Sequence, residues 1–81
     1  MRIDDYLSTV GIIKRRTVAK EMASNGLVEV NGHRVKAAYL VKIRDVIIIK
    51  GSHPFTAEIL AIPPGSVAKP DREKYFKEIK R

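Results

Sequence analysis

Lys14–Gly32, KRRTVAKEMASNGLVEVNG, is the stretch from which the fold is read. Three adjacent cations lead into a short helical segment, Thr17–Ser24. Val18 and Met22, and Ala19 and Ala23, stand four apart there and define a buried face. Lys20 and Glu21 then point outward. Thr17 is placed to cap the helix through its hydroxyl, and Asn25-Gly26 suits a left-handed end. Leu27–Val30 alternates apolar and polar residues, as a strand with one buried face does. Asn31-Gly32 follows, the strongest short hairpin signal in the chain, because both residues tolerate positive φ. His33–Val35 is the returning strand, with Arg34 and Lys36 on the face opposite Val35. Helix, turn and hairpin thus bring Lys14, Arg15, Arg16 and Lys20 together with Arg34 and Lys36.

Working outward, Ile3, Tyr6, Leu7 and Val10 recur at spacings of three and four and predict a first helix over Ile3–Val10. Asp4 and Asp5 suit its first turn, where the helix dipole favours negative charge, and Gly11 suits its end. Ile12 and Ile13 are expected to pack inward. Downstream, the β-branched run Val46–Ile49 predicts a strand over Val46–Lys50 and the alternating Phe55–Ile62 another, separated by the turn Gly51-Ser52-His53-Pro54. Short connections favour antiparallel pairing. Residues 63–70 hold three of the four prolines and read as a linker. Asp71–Arg81, with Tyr75, Phe76 and Ile79 on one side, reads as a C-terminal helix carrying the ion pairs Glu73–Lys77 and Lys74–Glu78. The expected architecture is therefore α+β. Two N-terminal helices pack on a small antiparallel sheet of about four strands over residues 1–62, and residues 63–81 form linker and helix.

Eighty-one residues allow one domain with a small core. There is no cysteine, hence no disulfide and no thiolate metal site. The longest apolar run of the sheet region, Val46–Ile49, is far short of a membrane span, and no apolar signal region opens the chain. The expectation is a soluble, cytoplasmic protein. Its formal net charge is +7, and ten of the sixteen Lys and Arg, against five of the nine Asp and Glu, lie in residues 1–50. A basic chain of this size attracts polyanions, nucleic acid first among them. An evenly solvated surface would not place Lys14, Arg15 and Arg16 side by side. Arg15 and Arg16 also stand at the helix end where the dipole disfavours cations. An anionic partner would gain there from both side chains and free N–H groups. Plain exposed loop residues are the competing reading, and the residues alone leave the two even. His33, beside the hairpin turn, reads first as an exposed turn residue and second as a phosphate contact.

Enzyme-like constellations are missing from the sequence. His33 and His53 lie twenty residues apart without metal-ligand spacing, and the five glycines are scattered through turns rather than gathered in a phosphate loop. No catalytic residue, metal or cofactor is expected. The aromatics Tyr6, Tyr39, Phe55, Tyr75 and Phe76 are not interleaved with the cations, as base stacking would require. Contacts to phosphate and sugar, reading shape rather than sequence, are the expected mode.

Three blocks in order carry a resemblance: Arg2-Ile3-Asp4-Asp5-Tyr6-Leu7, then Arg16-Thr17-Val18-Ala19, then Asn25-Gly26-Leu27-Val28-Glu29-Val30-Asn31-Gly32. They resemble the RNA-binding domain of small-subunit ribosomal protein four, the alpha-L motif, with its R-L-D, S-R-S-x-A and G-x-V-x-V-N-G pattern. The likeness runs from residue 2 to about residue 50. Arg15 and Thr17 stand where serines are usual, and Ile43-Arg44-Asp45 where Pro-Gly-Asp is common. The enzymes to which this module is often fused have no counterpart in the sequence. Its size, the Lys14–Lys20 run and Glu73-Lys74-Tyr75-Phe76 resemble the stand-alone heat-shock protein fifteen and ribosome-associated quality-control protein P family.

That resemblance implies a non-catalytic protein on the large ribosomal subunit while a nascent chain is still held on tRNA; a monomer is expected. It would touch both rRNA and tRNA, with a quality-control factor as a further partner. It implies Arg2 and Arg16 as phosphate contacts, and Asp4 as the residue that orients an arginine. The full set expected to bind RNA is Arg2, Lys14, Arg15, Arg16, Lys20, Asn31, His33, Arg34 and Lys36. Two alternatives stay open: a general structured-RNA or tRNA binder or regulator, and a basic adaptor that meets an acidic protein through Tyr75, Phe76 and Ile79.

Overall fold

The computed structural model of the protein describes residues 1–65 and 67–80. Helix α1 spans Ile3–Thr9 and α2 spans Arg16–Ser24. The predicted stripe of α1 is its buried face: Ile3, Tyr6, Leu7 and Val10 are all essentially inaccessible to solvent. Ala19 and Ala23 supply the matching face of α2, and their small side chains let the two helices approach closely. Val18, expected beside them, is 40% exposed. Thr17 does not cap α2 either. The N-cap is Arg15, with no side-chain cap bond, so the first-turn N–H groups lack a side-chain acceptor. The far end closes as expected. Gly26 has φ +74, its N–H donates to the Ala23 carbonyl, and the Leu27 N–H reaches back to Met22, the paired bonds of a Schellman cap.

Five strands follow: β1 Val28–Val30, β2 His33–Arg34, β3 Val46–Ile49, β4 Phe55–Ile59 and β5 Phe76–Glu78. They form one antiparallel sheet in the order β2-β1-β3-β4-β5. Asn31 and Gly32 make the β1–β2 turn with φ of 53 and 86, the doubly left-handed turn whose twist matches the flanking strands. One face of the sheet, Val28, Val30, Ile47, Ile49, Ala57 and Ile59, is buried, and all of these but Ala57 join the helices in a single core. The architecture is α+β, as the patterning predicts.

The chain end departs from expectation. Among the described residues, 71–80 do not form the expected α-helix. A six-residue 3₁₀ segment, Lys69–Lys74, uses the Pro70-Asp71 start signal, and the chain then becomes β5, a fifth strand rather than the expected four. An isolated helix of this length is marginal in water, whereas β4 offers a row of unpaired backbone groups. Phe76 aligns with Ile59 and Glu78 with Ala57. The Phe76 ring meets Phe55 edge-on at 6.1 Å, and the Ile79 N–H donates to Thr56 at 2.8 Å. The Tyr75 carbonyl accepts from Leu60, from Ala61 and from the Tyr6 hydroxyl, the last at 2.7 Å. Burial pushes that phenol well above its ordinary range, so it remains a donor. Lys74 pairs with Asp71 at 3.0 Å in place of the helical pairs Glu73–Lys77 and Lys74–Glu78. Ser66 of the expected linker and Arg81 of the expected helix lie outside the described residues.

Between β2 and β3 the chain runs back beside the start of α1. The Ile3 N–H donates to the Tyr39 carbonyl, the Asp4 N–H to Ala37, and the Val41 N–H to Met1. The segment then turns through Arg44, which has φ +77. Glycine fits this conformation, and a side chain there is strained by roughly 1–2 kcal/mol. Arg44→Gly trades that strain for about 0.5–1 kcal/mol of extra unfolded-chain entropy. The expected net gain of a few tenths to about 1 kcal/mol raises the melting temperature by roughly 2–6 °C. A calorimetric scan showing a lower melting temperature would mean that the Arg44 side chain itself stabilises the fold.

Candidate nucleic-acid interface

Asp4 is the centre of the basic surface. Its side chain is 1% exposed, and an isolated carboxylate that deep would be costly to bury. Its oxygens are satisfied separately. The Asp5 backbone N–H donates to Oδ1 at 2.8 Å. Oδ2 faces two guanidinium groups, Arg2 Nη2 at 3.2 Å and Arg16 Nε at 3.4 Å. The expected role of Asp4 in orienting an arginine is thus seen in the geometry, for two arginines rather than one. Arg2 and Arg16 remain about half exposed, at 42% and 50% of their side chains. One negative charge holds two positive ones, so the pair keeps net positive charge, and Arg2 Nε is a buried donor without a partner among the described residues.

From this cluster a furrow runs along the exposed side of α2. Its first part is lined by Arg2, Asp4, Arg16, Thr17 and Lys20. The next shares Thr17 and Lys20 and continues past Glu21 to Ser24 and Asn25. The third shares Ser24 and Asn25 and ends at Arg34 and Lys36. A nine-residue helix extends about 13 Å, so the furrow is a short rail with cations at both ends. Gly26 sets the far end. Its φ of +74 favours glycine, and the Arg34 guanidinium lies beside it, against the C-terminus of α2, where the dipole favours a cation.

The remaining expected residues are placed differently. Lys14 and Arg15 are exposed just ahead of α2 but do not line the furrow. His33 is exposed on β2 beside the hairpin turn. Asn31 is exposed, but its side chain is largely engaged. Nδ2 donates to Asp45 Oδ1 at 3.1 Å, and Oδ1 accepts the Val46 N–H at 3.0 Å, which leaves one amide N–H for a partner. Lys14, Arg15, Lys20, Arg34 and Lys36 make no ion pair among the described residues. By contrast, the open face of the sheet is charge-balanced: Glu29 pairs with Lys50 and Glu58 stands opposite Lys77.

Sequence reasoning missed the anchor of the hairpin. Asp45, 6% exposed, accepts from Asn31, from the Tyr39 hydroxyl at 2.8 Å and from the Lys42 N–H at 2.9 Å. Burial, and then the carboxylate beside it, push the Tyr39 phenol upward. One signal was available: Asp45 is the only acid between Glu29 and Glu58. Among the described residues no group of three or more His, Cys, Asp or Glu could hold a metal ion, and no helix is long and apolar enough to cross a membrane.

Two helices over a small antiparallel sheet, with a basic furrow along the second, define the class of an S4-like module. The S4 domain family matches residues 1–47, and the chain belongs to that family. It is 40% identical over 76 residues to the "RQC P-site tRNA stabilizing factor" of Listeria innocua, a match covering 93% of this chain and 83% of the relative. The factor of the same name from Streptococcus pneumoniae is 48% identical over 50 residues, which are 62% of this chain and 57% of that relative. Among solved structures, a trimeric heat shock protein 15 from Vibrio cholerae superposes with a TM-score of 0.89 at 28% identity. That match covers 98% of this chain and 81% of the neighbour.

Proposed function

We propose that the protein is a non-catalytic RNA-binding factor that holds structured RNA along the furrow between Arg2 and Lys36. The observation that carries this reading is the pair of guanidinium groups fixed on the buried Asp4 at the head of α2. Arginines already oriented lose less side-chain freedom on binding than free ones do. Guanidinium groups suit phosphate geometry, and the uncapped first turn of α2 adds N–H donors beside them. Lys20 continues the rail and Arg34 and Lys36 close it, while Lys14, Arg15 and His33 flank it. Asn31 contributes chiefly by holding the hairpin in place. S4 domains bind RNA, and the named relatives stabilise P-site tRNA in ribosome-associated quality control. These names support the specific reading for this chain. It acts in the cytoplasm on large ribosomal subunits that carry peptidyl-tRNA, touches rRNA and tRNA, and works as a monomer beside a quality-control factor.

Sedimentation through a sucrose gradient tests this assignment. The protein is expected to travel with large subunits bearing peptidyl-tRNA, to be depleted from small subunits, and to be released by raised salt. Equal distribution between subunits would favour a general structured-RNA binder. Retention at high salt after loss of the cations would favour the adaptor reading.

A further inference from the structure

The β2–β3 connection carries a feature that the furrow does not use. Leu40 and Ile43 are the two most exposed large apolar side chains among the described residues, at 62% and 59%. Scattered apolar residues need no explanation. These two share one tip with Lys42 and Arg44, and from Arg34 to Arg44 the chain holds four cations and no acid. The next residue, Asp45, does not neutralise them through an ion pair, because its carboxylate is taken up by Asn31, Tyr39 and the Lys42 backbone. Neither Lys42 nor Arg44 has an ion-pair partner among the described residues. Arg44 is held in a left-handed conformation that glycine would adopt without strain, and such strain concentrates at functional positions. The tip also adjoins the Asp4 cluster, since Leu40 bridges Arg2 through the backbone.

We infer that the tip Leu40–Arg44 is a second RNA contact, which seats its apolar side chains in the shallow groove of an RNA helix. Lys42 and Arg44 grip the flanking phosphates of that helix. This rests on the RNA-binding reading above. RNA fits the tip better than an acidic protein does for two reasons. A-form RNA offers a wide, shallow groove lined by ribose and edged by phosphate, which suits alternating cations and aliphatic side chains on a rigid turn. The tip is also continuous with Arg2 and Arg16, so one RNA helix can lie across both.

The test is a fluorescence titration of an A-form RNA hairpin with the full chain at several salt concentrations, comparing wild type, Arg16→Ala, Arg44→Gly and Ile43→Ser. Arg44→Gly is expected to weaken binding about three- to tenfold and to reduce the logarithmic salt slope by about 0.7–0.9, although its fold melts no earlier. Ile43→Ser is expected to weaken binding with the salt slope unchanged, because it removes no phosphate contact. If Arg16→Ala weakens binding while both tip variants match wild type, the tip is not an RNA contact although the furrow is. If wild type fails to bind the hairpin, or Arg16→Ala has no effect, the RNA-binding reading falls and the inference with it. If the tip variants bind the hairpin normally but no longer sediment with large subunits, the tip meets a protein, which also overturns the assignment.

Discussion

Arg16→Ala is expected to lower affinity for structured RNA about tenfold at roughly 0.1 M salt, the value of one charge-assisted contact of about 1.4 kcal/mol. The logarithmic salt slope should fall by about 0.7–0.9, one phosphate's share. The fold should survive. Arg16 is half exposed, so its ion pair adds little to stability, and Arg2 remains to compensate the buried Asp4. The melting temperature should therefore move by no more than a few degrees. Removing Arg2 and Arg16 together would be a poor test, because Asp4 would be left buried without a cation, a strongly destabilising change in its own right. Arg16→Lys should restore the salt slope but not all of the affinity, since an ammonium cannot reproduce the guanidinium's fixed fork of donors. A salt-series titration in which Arg16→Ala matches wild type would overturn the RNA-binding reading of the furrow.

Asp45→Ala has the largest expected effect on stability. It deletes the acceptor of the Tyr39 hydroxyl, the Asn31 amide and the Lys42 N–H at once. Donors that lose a charged acceptor cost about 1–3 kcal/mol each when water cannot replace it. Asn31 is exposed and Tyr39 only half buried, so a total of roughly 3 kcal/mol is expected, equivalent to a fall of about 12–20 °C in melting temperature for a chain of this size. That is a large fraction of the 4–12 kcal/mol typical of such a domain. The loss should also free the hairpin and the Lys42–Arg44 turn, so RNA binding should weaken before the protein melts. Thermal unfolding followed by circular dichroism measures the first effect. A fall of less than about 4 °C would show that the network holds less than about 1 kcal/mol.

The two halves of the chain differ in how openly the sequence declares them. In the first half, short-range rules act in concert. The Ile3–Val10 stripe, the Asn25-Gly26 end and the Asn31-Gly32 turn each specify local geometry, and each is found where its pattern lies. The Phe76–Glu78 strand was hidden because Tyr75, Phe76 and Ile79 fit a helical stripe as well as a strand edge. Local pattern could not decide between them, and the open edge of β4, a tertiary feature, did. Thr17 failed as a cap for a similar reason: α2 begins one residue earlier than its polar residues suggest, at Arg16. In the site, the clustering of Lys14, Arg15 and Arg16 was legible as charge. The arrangement that gives it shape was less so. Asp4 was foreseen as a partner for an arginine, but its hold on two of them depends on how α1 and α2 pack. Arg44 was visible only as a departure from Pro-Gly-Asp. Its positive φ shows that the turn keeps a glycine-like geometry with a cation in the glycine's place.

RNA is expected to lie along the α2 furrow rather than on the open sheet face. Amide chemical-shift mapping of the full chain on addition of a structured RNA hairpin tests it most directly. Shifts are expected to concentrate at Arg2, at residues 14–26 and at residues 33–44, with Glu29, Ile48, Thr56, Glu58 and Lys77 unmoved. Shifts confined to those five residues, or spread over β4 and β5, would contradict it.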